Sequence, residues 1–257
     1  MELSELLHRS PHVAGLSRSR WWLAGIRQSV VWLQERSLSG IWSLLKRLKL
    51  SYKRGRTYLH SPDPDYDAKL NRLQLALEQA RQNPERYVFL YEDEMSYYRR
   101  PSLAQAYGQV AADDVRAHCG LRANSARRVA ACLNALTGQV IAWQRSSFRL
   151  KTLLAFWRAV EAAYPHAQTI FVALDNWPVH FHAFIRSALA DSRLVFLPLP
   201  TYAPWTNPVE KLWRKLRQEV LHLHPFVDDW PALQAAVDAW LFQFKDRSTD
   251  LLRYVGL

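Results

Sequence analysis

The chain has 257 residues, 49% of them hydrophobic, and a formal net charge of +11. That length suits one catalytic-sized domain of about 150 residues with a smaller module beside it, and no apolar run reaches the ~18 residues of a membrane span. With no apolar signal core at the N-terminus a cytoplasmic protein is expected, and the two cysteines, Cys119 and Cys132, are expected as buried thiols in a reducing compartment.

The positive charge is uneven. Residues 1–60 contain 11 Lys and Arg against 3 Asp and Glu, whereas the rest of the chain has 23 against 20. A basic N-terminal quarter suggests a polyanion partner, and no lipid-anchoring pattern accompanies it, so nucleic acid is the expected one. Residues 1–18 carry little pattern; a short helix and a disordered arm both stay open. Over 20–34 (RWWLAGIRQSVVWLQ) Trp22, Ile26, Val30 and Leu33 form one stripe, which predicts a helix. After a polar break at 35–38, Ser39 caps a second predicted helix in which Ile41, Leu44, Leu45 and Leu48 follow the i, i+3, i+4, i+7 rule. Helix, tight turn, helix fits a plain hairpin or a helix-turn-helix. The basic SYKRGR at 51–56 suits a wing lying along phosphates and favours the second. A stretch with two prolines, 57–65, marks a domain boundary, and 67–82 reads as a polar helix with Leu70, Leu73 and Leu77 on one face.

From residue 87 the pattern is α/β. YVFLY (87–91) reads as a short apolar strand ending in Glu92, Asp93 and Glu94. Residues 101–126 are poorly patterned. Segments 127–136 and 139–148, about Thr137-Gly138, read as a hairpin. There follow a helix at 150–164, a strand at 168–174 ending in Asp175 and Asn176, a helix at 180–190, a strand at 193–197 and a last helix at about 230–245. Between these lies a strong helix start: Asn207 can cap, Pro208 takes the first position and Glu210 the third. Val209, Leu212, Trp213, Leu216 and Val220 form its buried face, and Lys211, Arg214, Lys215 and Arg217 the other. His222 and His224 near its end are expected to favour the helix dipole.

A carboxylate just past the end of a buried strand lies where open α/β sheets place their chemistry. Two strand ends and one helix start would gather three carboxylates. Clustered like charges call for a cation, and oxygen-only ligands select Mg²⁺ or Mn²⁺. The duller account of Glu210 is the acidic member of a helix cap.

FLYEDEMSYY, VALDNWPVHFH and LPLPTYAPWTNPVEKLW, with 34 residues between Asp175 and Glu210, resemble the three catalytic blocks of DDE transposases. The resemblance is to the bacterial insertion-sequence branch of the Tc/mariner superfamily, the DD34E type, and runs over about residues 87–246. It implies a ribonuclease H-like catalytic domain over 87–257, a mixed sheet flanked by helices, joined by a connecting segment at 61–86 to an all-α helix-turn-helix module at 1–60. The implied activity is cut-and-paste transposition at a TA target, by DNA cleavage and strand transfer. Asp93, Asp175 and Glu210 would hold two Mg²⁺ or Mn²⁺ ions, with water and then a DNA 3′-hydroxyl as nucleophiles. Glu92 and Glu94 compete with Asp93, but the family block places the ligand on the Asp. Glu94, Asn176 and His180 also match the blocks and take supporting roles, the alternatives for the last two being a turn amide and a helix-start histidine.

SGIWSLLKRLKLSYKRGR resembles the branch's second DNA-binding module. That makes Trp42, Ser43, Lys46 and Arg47 candidate DNA contacts on the reading helix, and Lys53, Arg54 and Arg56 candidates in the wing. Lys49 stands where the family usually has Gly to end the helix in a left-handed conformation. Many relatives carry a further helix-turn-helix domain upstream that this chain lacks; either a neighbouring reading frame supplies it or the element is a shortened one. The implied partners are double-stranded DNA, both terminal inverted repeats and target, and a second copy in a homodimeric complex. No membrane is implied, and the DNA-bound protein would be nucleoid-associated in a bacterial cytoplasm. Two other functions compete: a domesticated DNA-binding protein or repressor, and a ribonuclease H-like nuclease without strand transfer. Three clustered carboxylates disfavour the first; the 34-residue spacing and the Asn-Pro-x-Glu block disfavour the second. Trp177 and Trp205 flank the site, where packing is favoured over base stacking.

Overall fold

The computed structural model describes residues 3–52, 61–107, 115–120 and 124–257, and its chain divides into two units, Met1–Tyr58 and Leu59–Leu257. The first unit holds α1 (Leu3–His8), α2 (Leu23–Ser29) and α3 (Leu38–Arg47) around a small core of Leu3, Ile26, Leu33 and Ile41. The helix expected over 20–34 is interrupted. Val30 is extended (φ −118°, ψ 107°) and a 3-10 turn follows at Val31–Leu33, so Leu33 reaches the core from a turn. The cap of α3 is Ser37 rather than Ser39: Ser37 Oγ accepts from Gly40 N–H at 3.1 Å. Leu48, expected to be buried, is half exposed because α3 has already closed. Leu50 N–H donates to Leu45 O at 2.8 Å and Lys49 N–H to Lys46 O at 3.0 Å, a Schellman closure. Lys49 sits at φ 58°, so the left-handed C-cap forms without glycine.

The second unit is built on a five-stranded sheet of order β3-β2-β1-β4-β5: β1 (Tyr87–Tyr98), β2 (Ala126–Asn134), β3 (Val140–Arg145), β4 (Thr169–Leu174) and β5 (Leu194–Pro198). β1, β2 and β3 pair antiparallel; β4 pairs parallel with β1, and β5 with β4. This is the expected mixed sheet flanked by helices. The two-residue period of β1 sends Val88 and Leu90 to one face and Phe89, Tyr91, Met95 and Tyr97 to the other. The first face packs on α5 (Leu150–Ala162) and α6 (Ala183–Ala188); the second on α4 (Tyr66–Gln82), α7 (Val209–Leu216), α8 (Trp230–Phe242) and α9 (Thr249–Val255).

β1 does not stop at Tyr91. It runs twelve residues, paired to β2 as far as Tyr98↔Ala126, while its pairing to β4 ends at Tyr91↔Ala173. Glu92, Asp93 and Glu94 therefore lie inside the strand, on an overhang supported from one side. Two further departures are local. α7 passes into a π turn at Arg217–Leu221, whose wider turn shifts the buried position from Val220 to Leu221. The helix expected at 180–190 begins only at Ala183, capped by His182, whose Nδ1 accepts from Phe184 N–H. Cys132 is buried, but Cys119 is exposed, against expectation.

Candidate active site

Because β4 ends at Leu174 while β1 continues, the residue after β4, Asp175, comes level with the overhang. Asp93 points to the α7 side of the sheet, where the chain leaving β5 returns through 199–207 and starts α7 with Glu210 in its first turn. Asp93, Asp175 and Glu210 together line one cleft of about 390 Å³, with Asn176, Thr201 and Asn207 in its walls.

Each wall has identifiable supports. Trp213 Nε1 donates to Asp93 Oδ2 at 2.8 Å, and Trp177 N–H donates to Asp175 Oδ1 at 2.8 Å. Asn207 is buried; its Nδ2 donates to the Glu92 carbonyl at 2.9 Å and its Oδ1 accepts from Val209 N–H at 3.2 Å. Cap and strand are thus joined through one amide. Asn176 Nδ2 donates to Leu199 O and to Thr201 Oγ1. Thr201 is gripped from the segment before α4: Ser61 Oγ donates to its carbonyl at 2.6 Å, and its N–H donates to Asp63 Oδ2 at 2.7 Å. Lys69, with help from that N–H, holds the Asp63 carboxyl well below the usual range.

Burial, and next the charge of Glu210, push Asp93 up to about 7 against the opposing Trp213 hydrogen bond. No basic side chain is among the lining residues. An all-oxygen donor set with one carboxyl so raised fits a divalent cation.

Glu94 and His180 do not join this cleft. They lie with Glu92 on the other face of β1, where His180 Nε2 stands 3.7 Å from Glu92 Oε2, 3.6 Å from Glu94 Oε1 and 3.7 Å from Asp175 Oδ1. Burial, followed by the charges of Glu94, Asp93 and Asp175, raises the Glu92 carboxyl well above its ordinary value. Trp177 packs edge-on to His180, and Trp205, about half exposed, donates from Nε1 to Tyr66 Oη at 3.2 Å. His222 caps the π turn and its Nδ1 bonds Ser102 Oγ at 2.8 Å, whereas His224 is buried, which lowers its pKa and favours the neutral ring over a charge for the helix dipole. In the first unit Trp42, Ser43, Lys46 and Arg47 are exposed on α3, with Lys46 Nζ 4.5 Å above the Trp42 ring. Lys53, Arg54 and Arg56 lie outside the described residues.

Two contributions escaped the sequence reading. Trp213 was expected only to fill the buried face, although a position three after Glu210 shares its side of the helix. Glu92 reads in the sequence as a rival of Asp93, although strand alternation places neighbours on opposite faces.

The sheet order and its flanking helices define a ribonuclease H-like fold, and three carboxylates line one cleft of it. A family model described as DDE superfamily endonuclease matches residues 88–234, and the chain belongs to that family. It is 26% identical over 237 residues to the insertion element IS630 uncharacterized 39 kDa protein of Shigella sonnei, covering 90% of this chain and 67% of that protein. Its fold is that of Mos1 transposase. The Mos1 mariner paired-end complex with Mn matches at TM-score 0.67 and 16% identity over 99% of this chain and 74% of that one. The Mos1 paired-end complex with left transposon end matches at TM-score 0.65 and 15% identity, covering 100% and 75%. No helix among the described residues is long and apolar enough to cross a membrane.

Proposed function

We propose that this chain is the transposase of a bacterial insertion sequence: it cuts DNA at the element's ends and joins the freed 3′-hydroxyl to target DNA. Asp93, Asp175 and Glu210 are its metal ligands. The observation carrying this reading is the convergence of the three carboxylates on one cleft whose lining has no basic side chain. Two Mg²⁺ or Mn²⁺ ions suit that donor set and, when bound, supply Lewis-acid activation of the attacking and leaving oxygens. The chain's own residues position the ligands. Trp213 fixes Asp93, the Trp177 N–H fixes Asp175, and Asn207 holds the start of α7 against β1. Neither water nor a DNA 3′-hydroxyl needs a side-chain nucleophile for in-line attack, so positioning and charge neutralisation suffice.

The DNA partners on this reading are the terminal inverted repeats and a TA target. Residues 1–60 read the ends, with Trp42, Ser43, Lys46 and Arg47 facing bases and Lys53, Arg54 and Arg56 facing phosphates. Residues 61–86 connect them to a catalytic domain at 87–257, and a homodimer brings two ends together on the bacterial nucleoid. The transposon-end complexes of Mos1, whose fold is shared, support DNA as the partner.

Nicking and joining of DNA carrying the element's ends test the proposal. Asp93→Asn, Asp175→Asn and Glu210→Gln should each lower cleavage by about a thousand-fold, as loss of several kcal/mol of transition-state stabilisation requires. DNA binding should persist in the same preparations. Near-normal cleavage by any one variant would remove that residue from the site, and cleavage without joining would favour the nuclease reading.

A further inference from the structure

Behind the cleft, on the opposite face of β1, a second group of side chains meets in a largely buried compartment. Glu92 and His180 have no solvent exposure, and the indoles of Trp157 and Trp177 pack edge-on to the His180 ring at 5.8 and 5.3 Å. Both carboxylate oxygens of Glu92, Oε1 of Glu94 and both nitrogens of His180 are buried without a hydrogen-bond partner. Unpaired polar atoms are rare in a folded interior, and five in one place need an account.

The separations supply one. His180 Nε2 stands 3.6 Å from Glu94 Oε1 and 3.7 Å from Glu92 Oε2, beyond the ~2.7–3.2 Å of a hydrogen bond. Neighbouring ligand atoms about 2.1 Å from a shared tetrahedral dication stand roughly 3.4 Å apart. One atom from each of Glu92, Glu94 and His180 lies within 4.8 Å of the others. Charge agrees. Two carboxylates and a neutral imidazole are balanced by one dication.

We propose that Glu92, Glu94 and His180 form a cation site separate from the cleft, taking a divalent transition-metal ion such as Zn²⁺ or Mn²⁺. The imidazole is what separates this donor set from the oxygen-only cleft, which suits Mg²⁺. The ion ties the overhang of β1 to the turn after β4. Asp175 borders both places, with Oδ1 3.7 Å from His180 Nε2 and its carboxylate in the cleft lining. The site stands whether or not the cleft cuts DNA.

The 257-residue chain, stripped with EDTA, is titrated with Mn²⁺ in excess Mg²⁺ and followed by electron paramagnetic resonance with spin-echo detection of nitrogen. Mg²⁺ should fill the cleft while a single equivalent of Mn²⁺ stays bound with imidazole nitrogen coupling. The double variant Asp93→Asn, Glu210→Gln should keep that signal, which separates it from the catalytic reading. Glu92→Gln and His180→Gln should each lose it while keeping the far-ultraviolet dichroism of the parent. Should either fail to fold, Glu94→Gln, at the partly exposed corner of the group, serves the same purpose. Displacement of all Mn²⁺ by Mg²⁺, retained Mn²⁺ without nitrogen coupling in the parent, or coupling that persists in a folded variant would each overturn the site.

Discussion

Asp93, a metal ligand on the proposed reading, weighs against the stability of the unliganded fold. Its carboxyl titrates near 3.8 when free but at about 7 in the folded chain. Between those values the folded state holds the proton that the unfolded state has released, so stability in chelator should fall as pH rises from about 4 to about 7. Below about 4 both states are protonated and the penalty is absent. A shift of this size corresponds to a few kcal/mol at most, about 4 as an upper figure. Asp93→Asn keeps the shape and an acceptor for Trp213. In EDTA it should melt above the parent at pH 7.5 and level with it near pH 4, and Mn²⁺ should reverse the order at pH 7.5. A parent whose melting temperature climbs from pH 4 to 7 in EDTA would refute this account of Asp93.

Among the elements, legibility followed locality. The helix α4, the hairpin β2–β3 and the buried face of α7 were readable because their signals, apolar period and turn residues, are contained within a few residues. The Asp175 turn and the Glu210 helix start were readable for the same reason. The length of β1 was not: a run of three acidic residues ends an apolar strand on pattern, and only the antiparallel partner β2 carries it on to Tyr98. Likewise the sequence could not disclose that Glu92 is buried with His180 and half-buried Glu94, since that needs β1 and the turn after β4 in one place. Lys49 is the reverse case, where the expected geometry formed in spite of the residue. A non-glycine side chain in the left-handed region costs about 1 kcal/mol, so Lys49→Gly should stabilise the first unit by roughly 0.5–1 kcal/mol. Chemical denaturation monitored by tryptophan fluorescence would register it; a loss of stability would mean that the Lys49 side chain makes compensating interactions.

For the molecule as a whole, the two units have separate cores, one around Ile26, Leu33 and Ile41 and one on each face of the sheet. DNA affinity and chemistry should therefore separate along the chain. Replacing Lys53, Arg54 and Arg56 with Ala should weaken binding about equally across sequences and flatten the salt dependence by about one slope unit per lost phosphate contact. Substituting Trp42, Ser43 or Lys46 should change which sequence is preferred. A fragment spanning Leu59–Leu257 keeps Ser61 and Asp63 against Thr201, so it should bind Mn²⁺ yet bind the element's ends poorly at the salt concentration used for the full chain. Equal affinity would assign end recognition to the larger unit.

The overhang of β1 bears finally on the entropy of ion capture. Ordering a backbone residue costs about 1–2 kcal/mol, and a site made wholly of loop residues meets that cost for every ligand. Here Asp93 is already immobilised opposite Ala131 in the β1–β2 ladder, and Asn207 clamps the neighbouring Glu92 carbonyl. Asp175, one residue beyond its strand and held by the Trp177 N–H, and Glu210, in the first turn of its helix, have little left to order. On the proposed reading an arriving cation thus meets one fixed post and two short arms, and the cleft is pre-paid for most of the disorder it would otherwise have to lose.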